Sequence, residues 1–232
     1  MRIFGKGFNF SQDGPGNRLV YHVSGCNLRC PWCSNPEGMS GSAGSITSCE
    51  EIVDEAIRSA PMFFGGGGVT FTGGEATLAE KELTQILEAL QQKGIHTAIE
   101  TNGTTDLKAI SHAVDYMIMD FKHFDGRQLE KFTGLGNETL KKNFEYFCSV
   151  GRQLHIRIPL INGFNADCPE GFAEYFSSHN TEHAVFEFLP YHEMGKSKWT
   201  SEYKVTDGFV SQAQLNKFKS IFTEYGLKIK ET

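Results

Sequence analysis

Apolar residues along this chain alternate between two periods. Short runs of four to six residues, rich in β-branched and aromatic side chains, read as buried strands: Leu19–Val23, Val69–Thr72, Thr97–Thr101, Tyr116–Asp120, His155–Leu160 and Ala184–Leu189. Between them the spacing changes to the helical i, i+3, i+4, i+7 pattern. Thr47 with Glu50 reads as a capping box that opens a helix through Ala60, with Ile52, Val53, Ala56 and Ile57 on its apolar face. The stretch Ala79–Lys93 places Leu83, Ile86, Leu87 and Leu90 on one stripe, and Gly94 follows where a C′ glycine is expected. Further helices fit Glu138–Val150, Pro169–Ser178 and Ser211–Tyr225, the last with Leu215, Phe218 and Phe222 together.

Strands alternating with helices imply an α/β fold with a parallel sheet and right-handed crossovers. Six such units fall short of a complete eight-unit barrel, so the expected architecture is a partial (β/α)6 barrel. No internal repeat or low-complexity tract interrupts it, and residues 1–232 are read as a single domain. In parallel α/β folds the chemistry collects at the carboxyl ends of strands. Polar groups without a core explanation do sit there. A cysteine loop follows the first strand and Gly73-Gly74-Glu75 the second. Glu100-Thr101-Asn102-Gly103 closes the third and Asp120-Phe121-Lys122 the fourth. Arg157 lies within the fifth, and Tyr191-His192-Glu193 follows the sixth. These are expected to share one mouth.

The cysteine loop is the most specific of these. Cys26, Cys30 and Cys33 are spaced C-x3-C-x2-C, with no fourth cysteine nearby. Clustered thiolates select zinc or iron–sulfur centres. A [4Fe–4S] cube normally takes four cysteines, so three leave one iron open to a small molecule. A structural zinc site is the alternative. It needs a fourth ligand, for which His22 is the nearest candidate. Cys49, Cys148 and Cys168 are scattered and read as ordinary thiols.

The other motifs carry two readings each. Gly73-Gly74-Glu75 is either a plain turn or bare backbone whose carbonyls accept from a ligand's ammonium. Asp120 and Lys122 form a surface ion pair, or bind ribose hydroxyls and a ligand carboxylate. Arg157, a charge inside a core strand, needs a partner: a bound carboxylate or a neighbouring Glu. Trp32 is core or a shield for the cluster, and His192 is a loop histidine or part of the site.

Bulk properties narrow the partners. A net charge of -6, from 22 basic and 28 acidic residues, argues against a nucleic-acid backbone as the main partner. The 39% hydrophobic content supports a full core. No apolar run is long enough to cross a bilayer, and the first residues lack a signal peptide. A cytoplasmic protein with reduced thiols, bound to no membrane, is expected.

The cysteine loop, with its aromatic Trp32 just before Cys33, resembles the radical S-adenosylmethionine (SAM) superfamily signature. Asp13-Gly14-Pro15-Gly16-Asn17-Arg18 ahead of Gly25-Cys26-Asn27-Leu28-Arg29-Cys30 resembles the opening of glycyl-radical enzyme activating enzymes. The segments Gly66–Thr70 into Gly73–Glu75, Glu100–Gly103, Asp120–Lys122 and Leu189–Lys196 with Trp199 agree, the last being similar to the pyruvate formate-lyase activating type. The segment Ser34–Cys49 is short and holds no cysteine-rich insert, which matches the compact type with one cluster.

The resemblance implies a radical SAM fold, one [4Fe–4S] cluster on Cys26, Cys30 and Cys33, and SAM chelating the open iron. Trp32, Cys33 and Ser34 would lie near the adenine. Gly74 with its neighbours Gly73 and Glu75 would receive the methionine ammonium. Asp120, Phe121, Lys122 and His192 would hold the ribose and methionyl end, and Arg157 the carboxylate side. Ser34 stands where the family commonly has His. Glu100 stands where the pyruvate formate-lyase type has Asp, beside a monovalent cation near Asp120. The implied chemistry is reductive cleavage of SAM to a 5′-deoxyadenosyl radical that abstracts hydrogen from a glycine Cα of a partner, pyruvate formate-lyase or a relative. A flavodoxin or ferredoxin would supply the electron. No protein acid, base or nucleophile is required. The Asp13–Arg18 loop is expected to fold over the partner's glycine. Alternatives are an anaerobic ribonucleotide reductase activator, a radical enzyme for a small molecule of the 7-carboxy-7-deazaguanine synthase kind, or a zinc- or cluster-binding module.

Overall fold

The computed structural model describes residues 1–230. The chain divides into two compact units. The first comprises residues 1–27, 35–101 and 107–118, and the second 28–34, 102–106 and 119–232.

In the first unit, strands β1 (Arg2–Phe10), β2 (Asn17–Val23), β3 (Ser45–Ile46), β4 (Gly68–Gly73) and β5 (His96–Thr101) form a sheet ordered β3-β1-β2-β4-β5. Strand β6 (Tyr116–Asp120) follows β5, and its last two residues belong to the second unit. The β2–β4 and β4–β5 pairs are parallel, as the helical crossovers require. Helices α1 (Cys49–Ser59) and α2 (Glu80–Gln92) cover one face. Tyr21 and Phe71 stack at 5.5 Å on that side, and the Tyr21 hydroxyl donates to Glu55 of α1 at 2.7 Å. Strand side chains alternate faces, so His22, Thr72 and Glu100 project to the opposite side.

Two strands escape the sequence pattern. β1 pairs antiparallel with β2 from Ile3↔Val23 to Phe10↔Asn17. Gly5 and Gly7 dilute its apolar signal, and Phe8 and Phe10 are exposed. Only long-range hydrogen bonding makes it a strand. β3 is two exposed residues paired with Arg2 and Ile3. The Asp13–Arg18 loop joins β1 to β2 at the N-terminal end of β2, whereas the cysteine loop leaves its C-terminal end. Arg18 is wholly buried there and donates to Thr70 Oγ1 at 2.6 Å and the Val69 carbonyl at 2.7 Å. Its work in this fold is to tie the hairpin to β4.

The capping box of α1 lies one residue later than the sequence reading. Ser48, not Thr47, is the N-cap: Glu51 N donates to Ser48 Oγ at 3.2 Å, and Ser48 N donates to Glu51 Oε2 at 2.7 Å. Thr47 is committed elsewhere, exchanging main-chain hydrogen bonds with Met1, both at 2.9 Å. The helix therefore cannot begin before Ser48. Ser48→Ala is expected to cost about 1 kcal/mol and to lower the melting temperature by about 2–4 °C, read by circular dichroism.

The second unit carries β7 (Leu154–Leu160) and β8 (Ala184–Pro190), parallel, after the end of β6. Its helices are α3 (Gly126–Thr133), α4 (Glu138–Val150), α5 (Pro169–Ser177) and α6 (Gln212–Glu224). α3 was not expected. It is only eight residues long, started by Asp125 Oδ1 accepting from Arg127 N at 2.8 Å and stopped by Gly134 at φ +91°. The core is aromatic. Phe121 meets Phe144 of α4 and Phe172 and Phe176 of α5, while Phe186 meets Phe176 and Phe222 of α6.

Candidate functional site

Each unit presents its share of the motif residues through the period-two alternation of its strands. In the first unit the Gly73–Glu75 turn is stitched to the start of the cysteine loop. Gly74 N donates to the Val23 carbonyl at 2.8 Å, and Glu75 N to the Gly25 carbonyl at 2.7 Å. A Cβ on Gly74 would lie 2.2 Å from the Gly25 oxygen, so only glycine permits this approach. Cys26, next along, is held through its own N–H to the Met39 carbonyl at 3.3 Å. The Glu75 carboxylate is buried and turned inward. Oε1 accepts from Thr77 N at 3.1 Å, Thr77 Oγ1 at 2.5 Å and Thr101 Oγ1 at 2.8 Å. What the Gly73–Glu75 turn can offer a ligand is therefore main chain. Glu100 is half-buried, and its Oε2 accepts from Thr72 Oγ1 at 3.0 Å.

In the second unit Cys30 is buried and Cys33 half-buried, with Cys33 N donating to the Cys30 carbonyl at 3.2 Å. Trp32 packs on Phe164 at 4.6 Å and Phe132 at 6.3 Å. Phe121 sends its ring into the helix-side core, so the side chains on either side of it, Asp120 and Lys122, emerge on the opposite face. The same alternation puts Phe186 against the helices and Glu187 away from them, and Glu187 pairs in register with Arg157. Asp120, Lys122, His155, Arg157 and Glu187 thus share the face opposite the helices. Phe121 itself can reach a ligand only through its main chain, and its N–H already donates to the Arg157 carbonyl at 2.8 Å.

The ion pair between Lys122 Nζ and Asp120 Oδ2, at 2.6 Å, is not a surface pair: the side chains are 12% and 21% exposed. Asp120 Oδ1 is buried and has no hydrogen-bond partner among the described residues. Such an acceptor is costly unless something donates to it, and a ligand hydroxyl would. For Arg157, the structure supplies the neighbouring glutamate: its Nε donates to Glu187 Oε2 at 3.1 Å. Glu187 also lies 3.0 Å from His155 Nε2 and, through Oε1, 3.2 Å from Lys230. Burial alone would raise its pKa, but contact with His155, Arg157 and Lys230 outweighs that and holds it at about 2. His192 is exposed in the loop after β8 and accepts from Met194 N at 3.4 Å.

The sequence reading missed Asn165. Its amide donates to the Lys122 carbonyl at 2.8 Å and the Pro159 carbonyl at 2.7 Å, pinning the ends of β6 and β7 together. Only its place just after a strand hinted at this. Glu187 was also missed, because a glutamate among Phe and Val reads as a solvent-facing alternation.

The donor set fits an iron–sulfur cluster and an adenosyl cofactor. None of the three loop cysteines is held in a disulfide. Gly74 gives close backbone approach, and Asp120 Oδ1 is a buried acceptor awaiting a donor. Among the described residues no three His, Cys, Asp or Glu side chains are already gathered round one point, so this fit rests on the chemistry of the donors.

Comparison with known proteins decides the family. The radical SAM superfamily model matches residues 20–176. The chain belongs to the radical SAM superfamily. Within it, the chain is 32% identical over 208 residues to a pyruvate formate-lyase-activating enzyme of Clostridium pasteurianum, covering 84% of this chain and 85% of the relative. It is 27% identical to the Escherichia coli K12 pyruvate formate-lyase 1-activating enzyme, over 99% of both. A 4-hydroxyphenylacetate decarboxylase activating enzyme of Clostridioides difficile is 26% identical, over 93% of this chain and 90% of the relative. Among solved structures, a domain of a pyruvate-formate lyase-activating enzyme from Bacteroides vulgatus superposes with TM-score 0.60 at 30% identity, covering 71% of this chain and 98% of that one. Streptococcus suis SuiB bound to S-adenosylmethionine gives TM-score 0.70 at 17% identity, covering 91% of this chain and 49% of that one. The α/β fold expected from the strand–helix alternation, and the radical SAM fold that the resemblance implied, are therefore the fold of this chain. Membership brings a [4Fe–4S] cluster and SAM as its cofactors.

Proposed function

We propose that this radical SAM enzyme activates a glycyl radical enzyme by removing a hydrogen atom from a glycine Cα of its partner. Likeness to activating enzymes along nearly the whole chain carries the reading. Bound here, the cluster and SAM supply one-electron, hydrogen-abstracting chemistry, so the protein's task is binding, orientation and exclusion of side reactions.

The residues divide that work by type. Cys26, Cys30 and Cys33 are the thiolate ligands. In the first unit, main chain at Gly73 and Gly74 receives the methionyl ammonium, with Glu75 bracing the turn from inside. Glu100, one carbon longer than the family's Asp, is the acceptor beside which a monovalent cation would sit. In the second unit, Asp120 Oδ1 accepts from a ribose hydroxyl, and Lys122, held by Asp120 and Asn165, faces the methionyl end. Arg157, oriented by Glu187, adds positive charge on the carboxylate side. Trp32 and Ser34 flank the adenine, and His192 closes the ribose side from its loop.

The partner is pyruvate formate-lyase or a related glycyl radical enzyme, the electron donor is a flavodoxin or ferredoxin, and the setting is the cytoplasm. No helix of the described residues is long and apolar enough to cross a membrane. The test is anaerobic reconstitution of the cluster, addition of reductant, SAM and a candidate partner, and electron paramagnetic resonance. A glycyl doublet on the partner is expected. Cleavage of SAM with no doublet on any glycyl radical enzyme offered would overturn the reading in favour of a small-molecule substrate.

A further inference from the structure

The segment after β8 reaches back to the cysteine loop. Trp199 Nε1 donates to the Cys33 carbonyl at 3.1 Å, across 166 residues of sequence. Lys198 Nζ donates to the next carbonyl, that of Ser34, also at 3.1 Å. Gly195 lies against Ser34 so closely that a Cβ would fall 2.4 Å from the Ser34 Cα. Three residues of one short turn thus seize two consecutive residues of the loop, and the first of those is a thiol ligand. The turn is itself anchored. Trp199 packs edge-on to Tyr203 at 5.6 Å, the Tyr203 and Tyr191 hydroxyls are 2.8 Å apart, and Tyr191 N donates to the Leu160 carbonyl at 2.9 Å. The chain of contacts runs from the ends of β7 and β8 to Cys33, all within the second unit.

We propose that Gly195–Trp199 is a clasp that positions Cys33 and limits access to it, acting on the ligand's main chain rather than on its sulfur. Outer contacts of this kind orient metal ligands and tune the centre they hold. The clasp begins three residues after His192, so one segment joins a proposed cofactor residue to the third thiolate. Trp199 and Lys198 are positioning residues in this account. Their significance for the reaction rests on the activating-enzyme reading, but the clasp itself can be tested without it.

The full-length, cluster-free, reduced chain is alkylated with iodoacetamide under argon, and each cysteine is followed by mass spectrometry. Trp199→Phe keeps a ring but loses the N–H. It is expected to alkylate Cys33 about fivefold faster, the scale of one net hydrogen bond, with Cys148 and Cys168 unchanged. Lys198→Met is expected to act in the same direction, and Lys198→Arg, which keeps a donor, to stay at the wild-type rate. In the reconstituted protein, Trp199→Phe is expected to lose iron to a chelator faster by a similar factor. Unchanged Cys33 rates in both Trp199→Phe and Lys198→Met would overturn the proposal. So would equal acceleration of all six cysteines, which would mean general loosening. A Cys33-specific response without any glycyl doublet would leave the clasp standing and remove only the activating function.

Discussion

Cys30→Ala is expected to leave a folded protein that holds no complete cluster and forms no glycyl radical. Cys30 is 7% exposed and behaves as a small apolar residue, so alanine costs the fold little. The chemistry belongs to the cofactors, so losing one of three thiolates removes the reaction rather than slowing it. The fall should exceed about a thousandfold. Iron and sulfide content, the visible charge-transfer absorption and the doublet on the partner would be measured together. Cys148→Ala and Cys168→Ala are the controls. Burial pushes both thiols up to about 11, which keeps them protonated at neutral pH, poor ligands and poor nucleophiles. They should retain full iron. Full iron and full radical yield in Cys30→Ala would contradict the ligand assignment, and bound zinc in the native protein would restore the structural-metal alternative.

The second large effect is on stability. Glu187→Ala removes the carboxylate shared by Arg157, His155 and Lys230. Taking one partner from a buried ion pair costs about 3–5 kcal/mol, because the remaining charge loses its compensation while staying desolvated. Urea unfolding should show it as a lower midpoint at unchanged slope. A related pH dependence follows from the Glu187 pKa of about 2, depressed from 4.5. A carboxylate depressed in the folded state contributes stability that is fully present above its unfolded pKa. That contribution disappears as pH falls from about 4.5 toward 2. Native protein should therefore lose stability over this window more steeply than Glu187→Ala. Parallel acid profiles for the two would show that Glu187 is not linked to folding in this way.

The strand–helix alternation was legible because β2, β4, β5, β6, β7 and β8 are mostly buried and each carries a short, largely apolar run. β6 (Tyr116–Asp120) and α4 (Glu138–Val150) lie where their patterns place them. β1 was not legible. An edge strand with glycines and exposed phenylalanines draws its stability from hydrogen bonds to β2 that no local pattern records. The α1 start missed by one residue for the same reason, since the tie between Thr47 and Met1 is long-range.

In the site, the residue types were readable and their assignments were not. Three cysteines at close spacing declare thiolate chemistry by themselves, and glycines at a strand end declare close backbone approach. By contrast, Glu75 and Glu100 look alike in sequence. Only the fold turns Glu75 inward onto Thr77 and Thr101 and sets Glu100 beside Thr72. Arg157 announced that it needed a partner, and the register of β7 against β8 decided that Glu187 would be one.

By itself, then, the sequence determined the fold class, which depends on periodicity, and it carried the cysteine and glycine motifs, set at short separation, on which the family resemblance rests. The tertiary structure alone decided which face each strand residue takes, which carboxylate is left with an open oxygen, and that Trp199 grips Cys33. Those depend on register and on contacts between residues far apart in the chain, and a linear pattern holds no information about the distances across which they form.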